Sequence, residues 1–221
     1  MSISDRACQR VPKDIAEELG LAGIARLLQL MVDAYRDLKA RKCIAADSSE
    51  DSITEEWFVH IQQRWRNEPA IALVPVHQKA DATEAKSRGR HPTVDFCFRD
   101  SYEARSYFGV ECKLLDEGNT RHLGDYLDDT RGIGRFLRRR YAAYAGAGAM
   151  AGYVRIGSPN HVAEILKTAL ANVTDKVILA RSGLLPGAPH LYESRHRRDR
   201  ARAVAAFLCY HLLLAFECGV G

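Results

Sequence analysis

Two short segments of this 221-residue chain carry side chains suited to metal-assisted phosphodiester hydrolysis. Val94-Asp95-Phe96-Cys97-Phe98 is followed, sixteen positions on, by Val110-Glu111-Cys112-Lys113-Leu114. Side chains on a strand alternate faces, so Val94, Phe96 and Phe98 share one face and Asp95 points from the other. By the same rule Glu111 and Lys113 share a face, opposite Phe108, Val110, Cys112 and Leu114. Between the runs lies the polar stretch Arg99 to Ser106, suited to a hairpin connection. In a hairpin symmetric about Glu103, Asp95 and Glu111 are each eight positions from the centre and sit opposite each other. Directly opposed residues have Cβ atoms about 5 Å apart, close enough for two carboxylates to share one divalent cation.

A Glu-x-Lys triplet alone says little, and the chain holds a second one, Glu84-Ala85-Lys86, in a polar stretch without strand character. The triplet at Glu111 differs because its charges interrupt the apolar run Tyr107 to Leu115. Charges on a half-buried strand are costly unless paired, solvated at a cleft or metal-bound. The alternative is a solvent-exposed sheet face carrying the same charges.

The elements that must position these residues follow from pattern. Pro12 to about Lys42 has the apolar stripe of a helix, with Gly20 and Gly23 able to split it. After a polar loop, Ser52 to Asn67 reads as a second helix with Ile53, Trp57, Ile61 and Trp65 at steps of four, ended by Glu68-Pro69. Ile71 to Val76 is a strand, and His77 to His91 a cationic loop with Lys79, Lys86, Arg88 and Arg90. The hairpin comes next, then Arg121 to Ala145, expected to be mostly helical. Ala149 to Ile156 is a strand, and Ser158-Pro159 opens a helix to about Asn172. Val177 to Ala180 is ambiguous, Gly183 to Pro189 a loop, and His190 to His196 a last strand. Ala201 to Phe216 is expected to be a buried helix. The order gives an α/β protein with a central mixed sheet covered by helices, forming a single domain over 1–221. Residues 1–48 make an N-terminal helical segment and 49–221 the core.

Composition sets bounds. The chain is 47% hydrophobic and 27% charged, ordinary for a soluble globular protein, and its net charge of +4 permits an anionic partner without demanding one. Six widely spaced cysteines (Cys8, Cys43, Cys97, Cys112, Cys209 and Cys218) form no CxxC pair, which argues against a zinc site. The polar start, Met1 to Arg10, lacks a signal-peptide core, so reduced thiols in a cytoplasmic protein are expected. The longest apolar run, Ala203 to Phe216, is too short for a bilayer, and no membrane association is expected. Gly132 and Gly134 do not build a phosphate loop of the GxxxxGK type, so nothing points to an ATPase.

From about Glu50 to Ile156 the chain resembles the PD-(D/E)xK nuclease superfamily, which includes restriction endonucleases and bacterial antiphage effectors. The resemblance is carried by Asp95, by Glu111-Cys112-Lys113, by an acidic helix start upstream, and by a helix and strand downstream. The chain departs from the pattern in that Pro92 is not adjacent to Asp95. The resemblance implies a restriction-endonuclease-like fold and an Mg²⁺-dependent endonuclease, with Mn²⁺ as a substitute, acting on DNA in a restriction or antiphage setting. Asp95 and Glu111 would be metal ligands, joined by the backbone carbonyl of Cys112, and Lys113 would sit beside the attacking water. A helix glutamate often completes such a site. Glu50 is preferred because it lies three before Ile53 and seven before Trp57, on the core side, while Glu55 and Glu56 suit a solvated first turn. Cutting two strands calls for two active sites, so a homodimer or a partner subunit is also implied.

Basic segments surround these residues. Arg131, Arg135 and Arg138 are spaced to line one helix face, and arginine forks match phosphate oxygens. A similar arginine-phenylalanine helix follows the corresponding strand in related bacterial proteins, which singles out Arg135 beside Phe136. Arg139 and Arg140 suit a solvated face. A second cluster, with Arg195, His196 and Arg197, is a further candidate for phosphate contact. Converging on the Asp95 face with the His77 to His91 loop, these segments would make a channel for a nucleic-acid backbone. The competing expectation is a non-catalytic nucleic-acid-binding or assembly subunit, which has no need of clustered carboxylates that repel phosphate. A small α/β scaffold with surface charges is the third.

Overall fold

A computed structural model describes residues 14–41, 44–45, 47–80, 91–100, 106–173, 177–188, 190–198 and 206–216. The Glu84 to Lys86 triplet, the hairpin centre at Glu103, Cys8, Cys43, Cys218, and the cations Lys86, Arg88, Arg90, Arg200 and Arg202 lie outside them.

Helix α1 (Ile15–Ala40) starts where the Asp14 carboxylate accepts from the Ala16 N–H at 2.9 Å, and it kinks at Gly20, one of the two glycines expected to split it. Helix α2 (Glu50–Trp65) is capped by Ser49, whose hydroxyl accepts from the Ser52 N–H. Its buried side, Ile53, Thr54, Trp57, Phe58 and Ile61, repeats with helical period. The strands are β1 (Val74–Ala80), β2 (Thr93–Arg99), β3 (Tyr107–Leu114), β4 (Ala147–Val154), β5 (Ala180–Arg181), β6 (Leu191–Arg197) and β7 (Ala206–Ala215). Helices α3 (Thr120–Leu127) and α4 (Gly134–Leu137) lie between β3 and β4, and α5 (Pro159–Val173) follows β4.

The strands form one mixed sheet in the order β1-β2-β3-β4-β7-β6-β5. Its middle, β3, β4 and β7, is parallel, and the flanking pairs are antiparallel. Pro75 lies on β1, an edge strand, where a missing N–H is tolerated. Trp57 of α2 meets Phe96 and Tyr153 edge-on, with ring centroids 5.3 and 6.1 Å away, so α2 covers the face opposite Asp95. Its indole N–H donates to the Met31 carbonyl at 3.0 Å, locking α1 to α2. One hydrophobic core runs from Ile15 to Phe216. Cys97, Cys112 and Cys209 are buried in it, as small packing residues.

The α/β architecture with a mixed sheet matches the sequence expectation, and three elements differ. Ala206 to Ala215 is a strand, not a helix. It is paired on both sides, with β4 (Ala147↔Leu208 through Val154↔Ala215) and with β6. A strand covered on both faces reads as an unbroken apolar run, which periodicity cannot tell from a buried helix. The stretch Arg121 to Ala145 is helical only in α3 and the single turn α4. Asp128 interrupts it, its carboxylate accepting from both the Thr130 N–H and hydroxyl at 2.6 Å. The first strand begins at Val74 and runs to Ala80, into the segment expected to be loop. Among the described residues, no helix is long and apolar enough to cross a membrane.

Trp57 is fully buried and joins both helices to the sheet. Trp57→Ala should cost about 3–5 kcal/mol in equilibrium chemical denaturation, as expected for a large aromatic removed from a core.

Candidate active site

The β2–β3 register is Phe96↔Val110 and Cys97↔Gly109, the one drawn from symmetry about Glu103; its continuation sets Asp95 opposite Glu111. The Asp95 carboxylate accepts from the Cys112 N–H at 2.6 Å, which fixes it against β3. Lys113 Nζ lies 3.2 Å from Glu111 Oε1, donates to Glu50 Oε1 at 2.7 Å, and donates to the Cys112 carbonyl at 2.6 Å. The other oxygen of Glu50 accepts from the Leu114 N–H at 3.1 Å. The structure therefore brings Asp95, Glu111, Lys113 and Glu50 together, whereas Glu55 and Glu56 are exposed.

Residues not singled out from sequence hold Glu50 there. Asp116, just past β3, accepts from the Arg155 N–H at 2.7 Å and the Ile156 N–H at 3.1 Å, tying the ends of β3 and β4 together. The Arg155 guanidinium bonds Asp116 at 2.6 Å and reaches the Ser48 carbonyl at 3.0 Å, two residues before Glu50. The start of α2 is thus fastened to the strand ends. Deeper, the Thr54 and Tyr153 hydroxyls are 3.0 Å apart.

The opposite side is closed by the β3–β4 crossover. The Arg135 Nη1 is 3.8 Å from Glu111 Oε1, and Arg135 also donates to the Thr130 carbonyl and the Tyr141 hydroxyl. Tyr141 in turn donates to the Thr93 carbonyl on β2. The glycines that build no phosphate loop serve this turn. A Cβ on Gly132 would come within 2.1 Å of the Tyr126 carbonyl oxygen, and one on Gly134 within 2.2 Å of the Asp129 Cα. Only glycine lets the chain approach this closely and deliver Arg135 to Glu111.

The electrostatics are those of buried like charges. Burial, then the charge of Asp95, pushes the Glu111 carboxyl well above the usual carboxylate range, against the pull of Lys113 and Arg135. Burial also raises Asp95, with Lys113 and the Cys112 N–H offsetting part of the effect. Burial opposes the charge of Lys113, but Glu111, Asp95 and Glu50 outweigh it and raise the ammonium above its ordinary value. The carboxylates thus outweigh burial, and Lys113 is a firm cation rather than a base.

Glu111 is 2% exposed, and its Oε2 is a buried oxygen with no hydrogen-bond partner among the described residues. An orphaned carboxylate oxygen beside a second carboxylate fits a hard cation. Among the described residues, no three histidine, cysteine or acidic side chains form a metal-sized group. A cation here would rest on Asp95 and Glu111 with water completing its shell, as Mg²⁺ tolerates. The Cys112 carbonyl, expected as a third ligand, is engaged by Lys113.

Among the described residues, the basic side chains do not converge as the expected channel would need, and residues 81–90 of the cationic loop lie outside them. Arg131, Arg135 and Arg138 do not line a helix, because α4 spans only Gly134–Leu137. Arg131 pairs with Asp125 at 3.2 Å and Arg138 pairs with Asp129, so both are neutralised locally. His196 is 4% exposed, with Nε2 2.7 Å from the Ser194 hydroxyl, which also lies 2.7 Å from His211 Nε2; His211 Nδ1 meets the Tyr126 hydroxyl at 2.8 Å. Burial pushes His196 down to about 4 and His211 down to about 3, so both stay neutral at pH 7. His196 is a core residue and not a phosphate contact. Arg195 and Arg197 are exposed, but they alternate with His196 onto the opposite face, three strands from β3 and about 14 Å away.

No family model, curated protein or solved structure matches the chain.

The raised Glu111 yields a stability test. Its ionised form is disfavoured in the folded state, so the wild type bears this cost above the folded pKa and is free of it below the unfolded value. Glu111→Gln should therefore be more stable than wild type at pH 7, by on the order of 1 kcal/mol or more, and should melt at a higher temperature. The advantage should shrink as pH falls through the raised pKa and vanish below the ordinary carboxylate range. Thermal melts across pH measure it.

Proposed function

We propose that this protein is a divalent-metal-dependent nuclease that hydrolyses phosphodiester bonds, with DNA as the expected substrate and Mg²⁺ or Mn²⁺ as the cation. One observation carries the proposal: a buried, unpartnered oxygen of Glu111 on the sheet face it shares with Asp95, with Lys113 as a fixed cation alongside. The order α2, β1, β2, β3, α3, α4, β4, with the acidic residue at the start of α2, supports likening the fold to PD-(D/E)xK nucleases. The restriction or antiphage setting, and assembly as a homodimer or with a partner subunit, follow from that resemblance.

Each side chain has a part. Asp95 and Glu111 would hold the cation, which when bound acidifies a water and offsets charge on the phosphate. Lys113, kept protonated by its carboxylates, stabilises negative charge as it builds on the attacked phosphate. Glu50 holds the Lys113 ammonium at a fixed point while its second oxygen anchors α2 to the Leu114 N–H. The Cys112 N–H orients Asp95.

Plasmid DNA and an RNA transcript, each incubated with Mg²⁺, with Mn²⁺ or with EDTA, test this. The wild type should cleave with either metal and not with EDTA, Asp95→Ala should be inactive, and Lys113→Ala should lose about 10²–10³-fold in rate. Cleavage that persists in both variants overturns the assignment. Binding without cleavage in every metal favours the non-catalytic subunit, and cleavage confined to RNA corrects the substrate.

A further inference from the structure

Lys113 and Arg135 approach the same oxygen of Glu111, Oε1, at 3.2 and 3.8 Å, and they do so in different ways. Lys113 is tied to Glu50 and to the Cys112 carbonyl, so the site keeps it regardless of Glu111. Arg135 has neutral anchors only, the Thr130 carbonyl and the Tyr141 hydroxyl, together with the Tyr141 ring 5.0 Å from its guanidinium carbon. Among the described residues, Glu111 is thus the charged partner of Arg135 at the site. The side chain is also the more open of the two, 25% exposed against 11% for Lys113.

We propose that Arg135 is an electrostatic gate that makes metal loading depend on the phosphate: it competes with the divalent cation for Glu111 until an incoming phosphodiester draws its charge away. The inference rests on the metal-site reading above and adds the regulation of that site. Its ground is charge balance. With Asp95, Glu111 and Glu50 ionised, as a bound cation requires, the site carries three negative charges; Lys113 offsets one, and Arg135, 3.8 Å from Glu111 Oε1, offsets a second and so weakens the pull on a divalent cation. A divalent ion bound at Glu111 repels the guanidinium a few ångströms away, and the two occupants oppose each other. A phosphodiester beside the site gives Arg135 a fork-shaped acceptor that suits it better than one distant carboxylate oxygen. Removing the competitor strengthens metal binding, and by linkage the metal strengthens phosphate binding by the same factor.

Calorimetric titration of Mn²⁺ into the full chain, with and without a phosphorothioate DNA duplex that resists hydrolysis, tests the gate independently of activity. The wild type should bind Mn²⁺ weakly alone and more tightly with the duplex. Arg135→Met should bind Mn²⁺ alone roughly tenfold more tightly than wild type, with little further gain from the duplex. Arg135→Lys keeps the charge and should stay within about threefold of wild type. Thermal melts of both variants check the fold, and Tyr141→Phe, which loosens the anchor without touching the charge, should move Mn²⁺ affinity less than Arg135→Met does. Mn²⁺ affinity unchanged or weaker in Arg135→Met, with wild-type binding intact, overturns the gate alone. Equal tightening in Arg135→Met and Arg135→Lys also overturns it, because charge would not be the cause. Absence of Mn²⁺ binding in wild type and Arg135→Met alike overturns the metal site and the gate together.

Discussion

Three carboxylates gathered around one buried ammonium govern this molecule. Glu111 and Asp95 are held near each other on a sheet that excludes water, and each resists ionisation there. Lys113 makes the arrangement tolerable, and it must be placed to within a hydrogen bond of Glu50 and Glu111 together. Flexible connections could not do this, because mutual repulsion would open the site. The surrounding elements serve as a clamp. The β2–β3 pairing sets the distance between the two carboxylates, and α2 brings Glu50 to the end of β3.

Two fasteners set the position of α2. Trp57 fixes its middle against Phe96, Tyr153 and α1, while Arg155 and Asp116 tie its start to the ends of β3 and β4. On the other face, the turn containing Gly132 and Gly134 brings Arg135 in toward Glu111. The site is thus gripped from both faces of one strand.

What was legible in the sequence divides along physical lines. The Asp95–Glu111 register could be read because alternation and hairpin symmetry are local properties, and Glu50 could be chosen because helical periodicity separates it from Glu55 and Glu56. The nature of β7 could not, since a strand buried on both faces and a buried helix share an apolar pattern; only the partners β4 and β6 decide. His196 looked like part of a basic patch, yet alternation along β6 turns it inward while Arg195 and Arg197 turn out. Arg131 and Arg138 have helical spacing, but the Asp128 turn breaks the helix and nearby aspartates take up their charge. The fastening role of Arg155 and Asp116 left no sequence signal, because it joins residues far apart in the chain.

The placement of β7 bears on how the chain assembles. Among the described elements it comes last in the chain, yet it lies between β4 and β6, and β5 and β6 reach the rest of the sheet only through it. Until β7 docks, β4 presents an open row of backbone donors and acceptors beside the strand that carries Glu111 and Lys113. Such long-range parallel pairing is slow to form, and it leaves partly folded chains prone to sticking at that edge. Chain synthesis thus supplies the central keystone of the sheet after the residues of the site, so β3 and β4 are made before the strand that shields them.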